Sequence, residues 1–436
     1  MSQDSSAPST GLSRRSFARL LAGGTAAALA PLGVGLGRAP FPPPRPARQA
    51  GERGERYWQG IREQFLMPLD LACLNAANLC PSPKSVLDSL YDATRDVDRD
   101  PSPQNRSKLS EGKERTRRTL AGFLGVTPEE ILLTRNTSEA NNIVSSGLDL
   151  GAGDEVVIFG DNHPSNHRAW ADKAERFGFT VKVVEPRNPH PGGEYYLDAF
   201  TRASTGRTRL WAFTHLTNSV GDLFPVGEMC AAARARGILT LVDGAQTFGL
   251  LDLDLAALGP DFYSGSGHKW PCGPRETGVL YVRSDAQPRL HPSVISLYAG
   301  AVGISRTFEG LGQRDEPAIL AFGEALTFQA NVGKAAIAER ARALAVALMD
   351  GLRRIDGVTL WTHPDPDRSW AVVSFQPAGL DPRKLAAALY ENDRIACATR
   401  GGADRTGLRF SPHFYNLQSE VDRTLDAVAK YVKTGL

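Results

Sequence analysis

The chain predicts an α/β fold built on a mostly parallel, doubly wound sheet, followed by a smaller α+β unit. From Glu130 onward, short apolar runs alternate with turns and helical patterning, an order that implies crossovers and parallel strands. The polar residues with chemical potential fall mostly at the carboxyl ends of those runs, where ligands sit in such sheets. Seven strands are expected, at residues 131–133, 156–159, 181–184, 210–214, 239–242, 262–264 and 278–282. Before them, helices are expected at 57–65, 84–98 and 110–124. After them, an Ala- and Leu-rich helical pattern over 319–352 leads to strands at 371–376 and 407–410 and helices from Asp381 and Ser419.

A length of 436 residues exceeds one typical core and predicts two or three domains. We divide the chain into a leader with a Pro-rich linker (1–50), an N-terminal segment with the large domain (51–318), and a linking helix with the small domain (319–436). With 42% hydrophobic and 22% charged residues the composition is that of a globular protein. A net charge of +2 offers no basic footprint for nucleic acid. In the leader, Ser13-Arg14-Arg15-Ser16-Phe17 precedes a Gly/Ala/Leu-rich run to about Gly37 and looks like a twin-arginine export signal, the alternative being a basic tail. That run is too short and too Gly-rich for a good membrane span, so a periplasmic or other extracytoplasmic location is expected without a stable span. The five cysteines, Cys73, Cys80, Cys230, Cys272 and Cys397, show no metal-ligand spacing and read mostly as buried thiols. No metal is expected.

The most informative stretch surrounds Lys269. The small residues Ser264-Gly265-Ser266-Gly267 precede His268-Lys269, and Pro271 and Pro274 follow, so the amine is held at a strand end by a constrained loop. Such a lysine can form a Schiff base. Upstream, the apolar run 238–242 ends in Asp243-Gly244-Ala245-Gln246, and a carboxylate at the end of a buried strand can pair with a protonated pyridine nitrogen. In this order the two motifs resemble the class V aminotransferase family, the fold-type I pyridoxal phosphate enzymes that include cysteine desulfurases and isopenicillin N epimerases. The resemblance implies a fold-type I transferase with pyridoxal 5'-phosphate as cofactor. It makes Lys269 the cofactor lysine, Asp243 the partner of the ring nitrogen and Gln246 a contact to the ring hydroxyl.

Other segments follow the same resemblance. Hydroxyl and amide side chains around Asn136-Thr137-Ser138 suit a helix start, whose free N–H groups also make an anion site; the family assigns Thr137 and Ser138 to the cofactor phosphate. His163 in Asp161-Asn162-His163-Pro164 is expected to stack on the ring, and Asn218, three residues after His215, to lie beside the ring and the substrate. His215 itself reads as a packing residue. Ser266 and His268 can donate to phosphate oxygens. The segment from Leu74 to Pro83 resembles one that passes near the substrate and brings Asn75 and Asn78 there, although Asn before Pro equally forms turns. Phe308-Glu309-Gly310-Leu311-Gly312-Gln313-Arg314-Asp315 resembles a loop that approaches the neighbouring subunit's cofactor phosphate, with Gln313 where the family has Thr. It implies a homodimer with shared sites, Gln313 at the cofactor and Arg314 at the substrate. Finally, Arg409 on a strand offers a planar fork for a carboxylate, and its segment resembles the one whose arginine holds the substrate α-carboxylate.

An amino acid substrate is thus expected, gripped by Arg409, with freed Lys269 as the general base at Cα. A desulfurase needs a nucleophilic cysteine on a loop just before that arginine; residues 398–405 contain none, and Cys397 precedes the position. An epimerase needs a second acid, which the sequence does not single out. The expected activity is isopenicillin N epimerase-like chemistry on an amino acid or aminoacyl compound. A class V aminotransferase or C–S/C–C lyase, and an exported non-catalytic pyridoxal phosphate-binding protein, are the alternatives.

Overall fold

The computed structural model describes residues 53–401 and 405–436, all within one compact unit. The expected leader and linker, 1–50, lie outside the described residues.

The seven expected strands form one sheet: β1 (Ile131–Thr134), β2 (Glu155–Phe159), β3 (Thr180–Val184), β4 (Thr208–Thr214), β5 (Leu239–Asp243), β6 (Phe262–Ser266) and β7 (Gly278–Val282). Their order across the sheet is β1-β7-β6-β5-β4-β2-β3, and only β7 runs against its neighbours. The strands read as continuous apolar runs because both faces are covered. Alternation along each strand splits them between two cores: Val157, Phe159, Trp211, Phe213, Val242 and Tyr263 pack on one side, Val156, Ile158, Leu210, Ala212, Leu241 and Phe262 on the other. Where strands outrun the expected bounds, the extra residues are polar apart from Gly265. Glu155 is buried at the start of β2, where Lys182 Nζ at 2.8 Å and Arg207 Nη2 at 2.7 Å hold its carboxyl down at about 2. Strand β6 reaches Ser266 because it pairs as far as Gly278 of β7.

The helical pattern over 319–352 is two helices, not one. Glu316–Val332 and Lys334–Arg353 are separated by Gly333, whose φ of +96° no helix accommodates. They lead to a four-stranded antiparallel sheet of β8 (Val358–Leu360), β9 (Val373–Pro377), β10 (Ala398–Arg400) and β11 (Gly407–Phe410), ordered β10-β11-β9-β8. The N-terminal segment joins this unit. Ala72–Cys73 pairs in parallel with Ile395–Ala396, Asn75 bridges to Ser411, and Trp58, Ile61 and Leu74 share a core with Phe410, Tyr415 and Val428. No helix among the described residues is long and apolar enough to cross a membrane.

A buried ion pair fixes the loop before Glu316. Arg117, fully buried on the helix Pro103–Leu124, donates from Nη1 and Nη2 to the Glu309 carboxylate at 2.6 and 2.8 Å, and from Nη1 to Ile131 O at 2.8 Å. Glu309 Oε1 also accepts Leu133 N at 2.8 Å. Arg117 also donates from Nε and Nη2 to the Glu114 carboxylate at 2.9 and 3.1 Å, so Glu309→Ala leaves it partly paired and is expected to lower unfolding free energy by roughly 1–3 kcal/mol. Urea unfolding checks this, and a midpoint unchanged from wild type would contradict it.

Candidate active site

The carboxyl ends of β1, β2, β4, β5 and β6 open on one cavity of about 300 Å³, to which the small sheet contributes Arg400 and Arg409. At its floor Asp243 ends β5, 2% exposed. Its Oδ2 accepts Asn141 Nδ2 at 2.9 Å and Asn166 Nδ2 at 3.3 Å, and its Oδ1 accepts Ala245 N at 3.0 Å. Asn141 Oδ1 in turn accepts Ser264 Oγ at 2.7 Å. The carboxylate is thereby fixed in orientation by neutral donors.

Lys269 follows β6 in a loop tied by Gly267 N to Thr277 O at 2.7 Å, Gly273 N to Gly267 O at 2.8 Å and Cys272 N to Lys269 O at 2.9 Å. A Cβ at Gly267 would lie 2.3 Å from Thr277 Oγ1, so the turn requires glycine. Burial pushes the Lys269 amine below the ordinary lysine range; Asp243 opposes the shift and Arg400 adds to it. The neutral, nucleophilic form is favoured accordingly.

Asn136, not Thr137, caps the helix Thr137–Gly147, accepting Glu139 N at 3.0 Å. Thr137 and Ser138 line the cavity with Ser266, whose Oγ accepts Thr137 N at 3.0 Å and lies 2.8 Å from Thr137 Oγ1. His268 joins them, its pKa pushed by burial down to about 4, so it stands as a neutral imidazole. His163 starts the helix Pro164–Phe177 at the cavity mouth. Its Nδ1 accepts Ser165 N at 3.3 Å, which leaves the proton on Nε2; burial of part of the ring, with the Lys269 charge, lowers its pKa. Asn78 and Asn218 also line the cavity.

Arg409, 1% exposed, donates from Nη1 to Asn218 O at 2.8 Å and from Nη2 to Asn75 Oδ1 at 3.0 Å, while its buried Nε has no partner. Arg409 lines the cavity, and a fixed guanidinium there offers its charge to an anion. Arg400, whose Nε is also buried and unpartnered, stands beside it, its pKa lowered by burial against the pull of Asp161. Through Asn218 and Arg400 the cavity adjoins a groove of about 720 Å³ walled by Asp161, His167, Arg168 and Asp172.

The structure therefore brings together Lys269, Asp243, His163, Thr137, Ser138, Ser266, His268, Asn78, Asn218 and Arg409. Three expected residues stand elsewhere. Gln246 is buried behind the cavity, its Nε2 donating to Ala77 O at 3.1 Å and its Oε1 accepting Trp270 Nε1 at 2.8 Å, so in this chain its amide braces two cavity segments. Gln313 and Arg314 line a separate cavity of about 450 Å³, where Gln313 accepts from Arg106 and Arg314 Nη1 donates to Leu133 O at 2.6 Å. The loop carrying them is held to that face by Glu309. His215 packs as expected: it is buried, 3.1 Å from Thr247 Oγ1, with a pKa pushed down to about 4 by burial.

The sequence reading missed Asn141, Asn166 and Arg400. The two asparagines follow Thr137 by four residues and His163 by three, a helical spacing that puts each on the same side of its helix as a residue already singled out. Arg400 lay in a stretch read only for its lack of cysteine.

Residues 76–424 match the family Aminotransferase class-V. The chain is 33% identical over 394 residues to isopenicillin N epimerase of Amycolatopsis lactamdurans, an alignment covering 86% of this chain and 99% of that protein. It is 29% identical over 405 residues to a probable cysteine desulfurase of Methanothermobacter thermautotrophicus, covering 85% and 98%. Among solved structures, a C-DES mutant with glycine covalently linked to its PLP cofactor superposes with a TM-score of 0.78 at 25% identity, covering 84% of this chain and 98% of that one. A second C-DES structure, a cystine C–S lyase in complex with cysteine persulfide, gives 0.77 at 25% identity, covering 83% and 98%.

The residues present fit pyridoxal phosphate. A lysine amine, a buried carboxylate held by neutral donors and a set of hydroxyl and imidazole donors at a helix start share one cavity. Uptake of the aldehyde by Lys269 depends on its neutral amine. The pH midpoint for the rate of apoprotein reconstitution, followed by visible absorption, is therefore expected below the ordinary lysine range. Arg400→Ala, which removes a neighbouring positive charge and so raises the Lys269 pKa, should move it upward; Asp243→Asn should move it downward. A midpoint that ignores both substitutions would refute this account of the lysine.

Proposed function

This chain belongs to the aminotransferase class V family of pyridoxal 5'-phosphate enzymes, and on that premise we propose that it is an epimerase-like enzyme inverting Cα of an amino acid or aminoacyl substrate. The observation that carries this reading is that none of the chain's five cysteines lines the cavity. Cys397 sits between two strands with its thiol pushed up to about 12 by burial, and Arg400 occupies the wall where a nucleophilic thiol would be needed. Proton movement at Cα is what the remaining side chains support.

Bound in the cavity, pyridoxal phosphate supplies the electron sink that acidifies the Cα–H bond. Arg409, immobilised by Asn75 and the Asn218 carbonyl, brings its guanidinium charge to the cavity wall for the α-carboxylate. Asp243, fixed by Asn141 and Asn166, holds negative charge at the floor. Lys269, its amine pKa lowered by burial, accepts the Cα proton. Inversion requires a proton from the other side; His163, exposed and lining the cavity, takes a proton from solvent and delivers it as the imidazolium. The groove past Asn218 and Arg400 gives room for a long side chain or acyl extension.

A second reading, C–S lysis, is favoured by the similarity to C-DES; it needs a leaving group on Cβ and no thiol nucleophile. Holoprotein incubated with L- and D-amino acids in deuterated water separates the two. Epimerase chemistry predicts deuterium at Cα and formation of the opposite hand, reduced roughly 10²- to 10⁴-fold by Lys269→Ala, with Arg409→Ala losing about 10- to 150-fold in kcat/KM. Sulfide or keto acid release without inversion would overturn the epimerase reading in favour of a lyase or aminotransferase.

The same proposal makes the protein a homodimer with shared sites, in which Gln313 and Arg314, remote from their own chain's cavity, serve the partner's. Mixing inactive Lys269→Ala and Arg314→Ala proteins should then restore about a quarter of wild-type activity, since a mixed dimer keeps one intact site. Activity no greater than that of the separate variants would rule out sharing through Arg314.

A further inference from the structure

Behind the Lys269 loop, away from the cavity, the fold gathers three soft or borderline metal donors that lie far apart in sequence. One ligand atom each from Cys80, Cys272 and His413 lies within 4.8 Å of the other two. All three residues are buried, at 4%, 0% and 0% exposure. Tetrahedral bonds of about 2.3 Å to sulfur and 2.0 Å to nitrogen place donors on one ion about 3.5–3.8 Å apart, so separations within 4.8 Å need close by at most about 1.3 Å to share a centre.

The protonation pattern is that of a ligand set. His413 Nε2 is 2.7 Å from Trp270 O and therefore carries the ring proton, which leaves Nδ1 as a bare lone pair. That Nδ1 is fully buried and has no hydrogen-bond partner. A histidine whose far nitrogen donates to a backbone carbonyl is oriented as metal-ligating histidines are. The two thiols make only long contacts, Cys80 Sγ to Ala76 O at 3.7 Å and Cys272 Sγ to Trp270 O at 3.6 Å. Tyr415 Oη, also buried, donates to Cys80 Sγ at 3.7 Å, a contact that would strengthen with a thiolate.

We propose that Cys80, Cys272 and His413 form a structural site for a divalent closed-shell cation of the zinc type. On binding, each thiol releases its proton to solvent while the imidazole is already neutral, so one M²⁺ is taken up as two H⁺ leave. Two thiolates balance the cation, and the buried site carries no net charge. That balance favours a divalent ion over a monovalent soft one. The site clamps three segments that each deliver a cavity residue: Cys80 follows Asn78 and donates its N–H to His268 O at 2.9 Å, Cys272 N donates to Lys269 O at 2.9 Å, and His413 follows Arg409.

Metal content decides the matter independently of any activity. Full-length wild-type protein, equilibrated with Zn²⁺ and desalted, is expected to retain about one equivalent per chain; with Co²⁺ it should show thiolate-to-cobalt charge-transfer absorption. Cys80→Ser, Cys272→Ser and His413→Gln should each weaken retention by at least about 10-fold, while Cys230→Ser, which alters a thiol in the other core, should leave it intact. Wild-type protein retaining no Zn²⁺ would overturn the proposal, as would a Cys80–Cys272 disulfide in non-reducing peptide maps or a cobalt band that survives His413→Gln.

Discussion

The site depends on keeping one buried carboxylate in a fixed place. Asp243 ends a strand at the centre of the sheet, and its oxygens are taken by two asparagine amides and a backbone N–H rather than by a cation. Neutral donors hold an anion without cancelling it, so its charge remains to act on whatever enters the cavity. The asparagines come from the first two turns of the helices that follow β1 and β2, and those helix starts also supply Thr137, Ser138 and His163. One parallel sheet thus delivers carboxylate, supporting amides and anion cradle together, because its strands end on the same side.

The lysine beside that carboxylate works under opposite pressures. Burial favours the neutral amine and Asp243 favours the charged one, with Arg400 siding with burial. Burial dominates, and the smaller contribution of Arg400 brings a residue of the small sheet to bear on the amine. Arg409, from the same sheet, is anchored through Asn75 of the N-terminal segment and Asn218 of the large sheet. The two Arg409 contacts therefore double as contacts between layers of the molecule.

Beneath the cavity, Trp270 O accepts from both His413 Nε2 and Gln329 Nε2, and Gln246 bridges Trp270 Nε1 to Ala77 O. This polar support belongs to the same core as the proposed cation site. It explains why Gln246, expected at the cofactor ring, is found bracing the loop that carries the lysine.

Seven strands of the large sheet were legible to within two residues, because a parallel strand covered on both faces is an uninterrupted apolar run whatever surrounds it. Lys269, Asp243 and His163 follow or end such runs in short motifs, and Arg409 sits in one on a strand of the small sheet; the structure places all four on one cavity. The break at Gly333 was not legible, since the Ala/Leu pattern continues across it and only the packing direction of the next helix demands the positive φ. The sequence by itself thus determined the fold class and the main chemical groups, through local hydrophobic pattern and local motif. Only the tertiary structure decided that Asn141 and Asn166 hold Asp243, that Arg400 walls the cavity, and that Cys80, Cys272 and His413 converge. Those are contacts between segments as many as 333 residues apart, and no spacing along the chain encodes them.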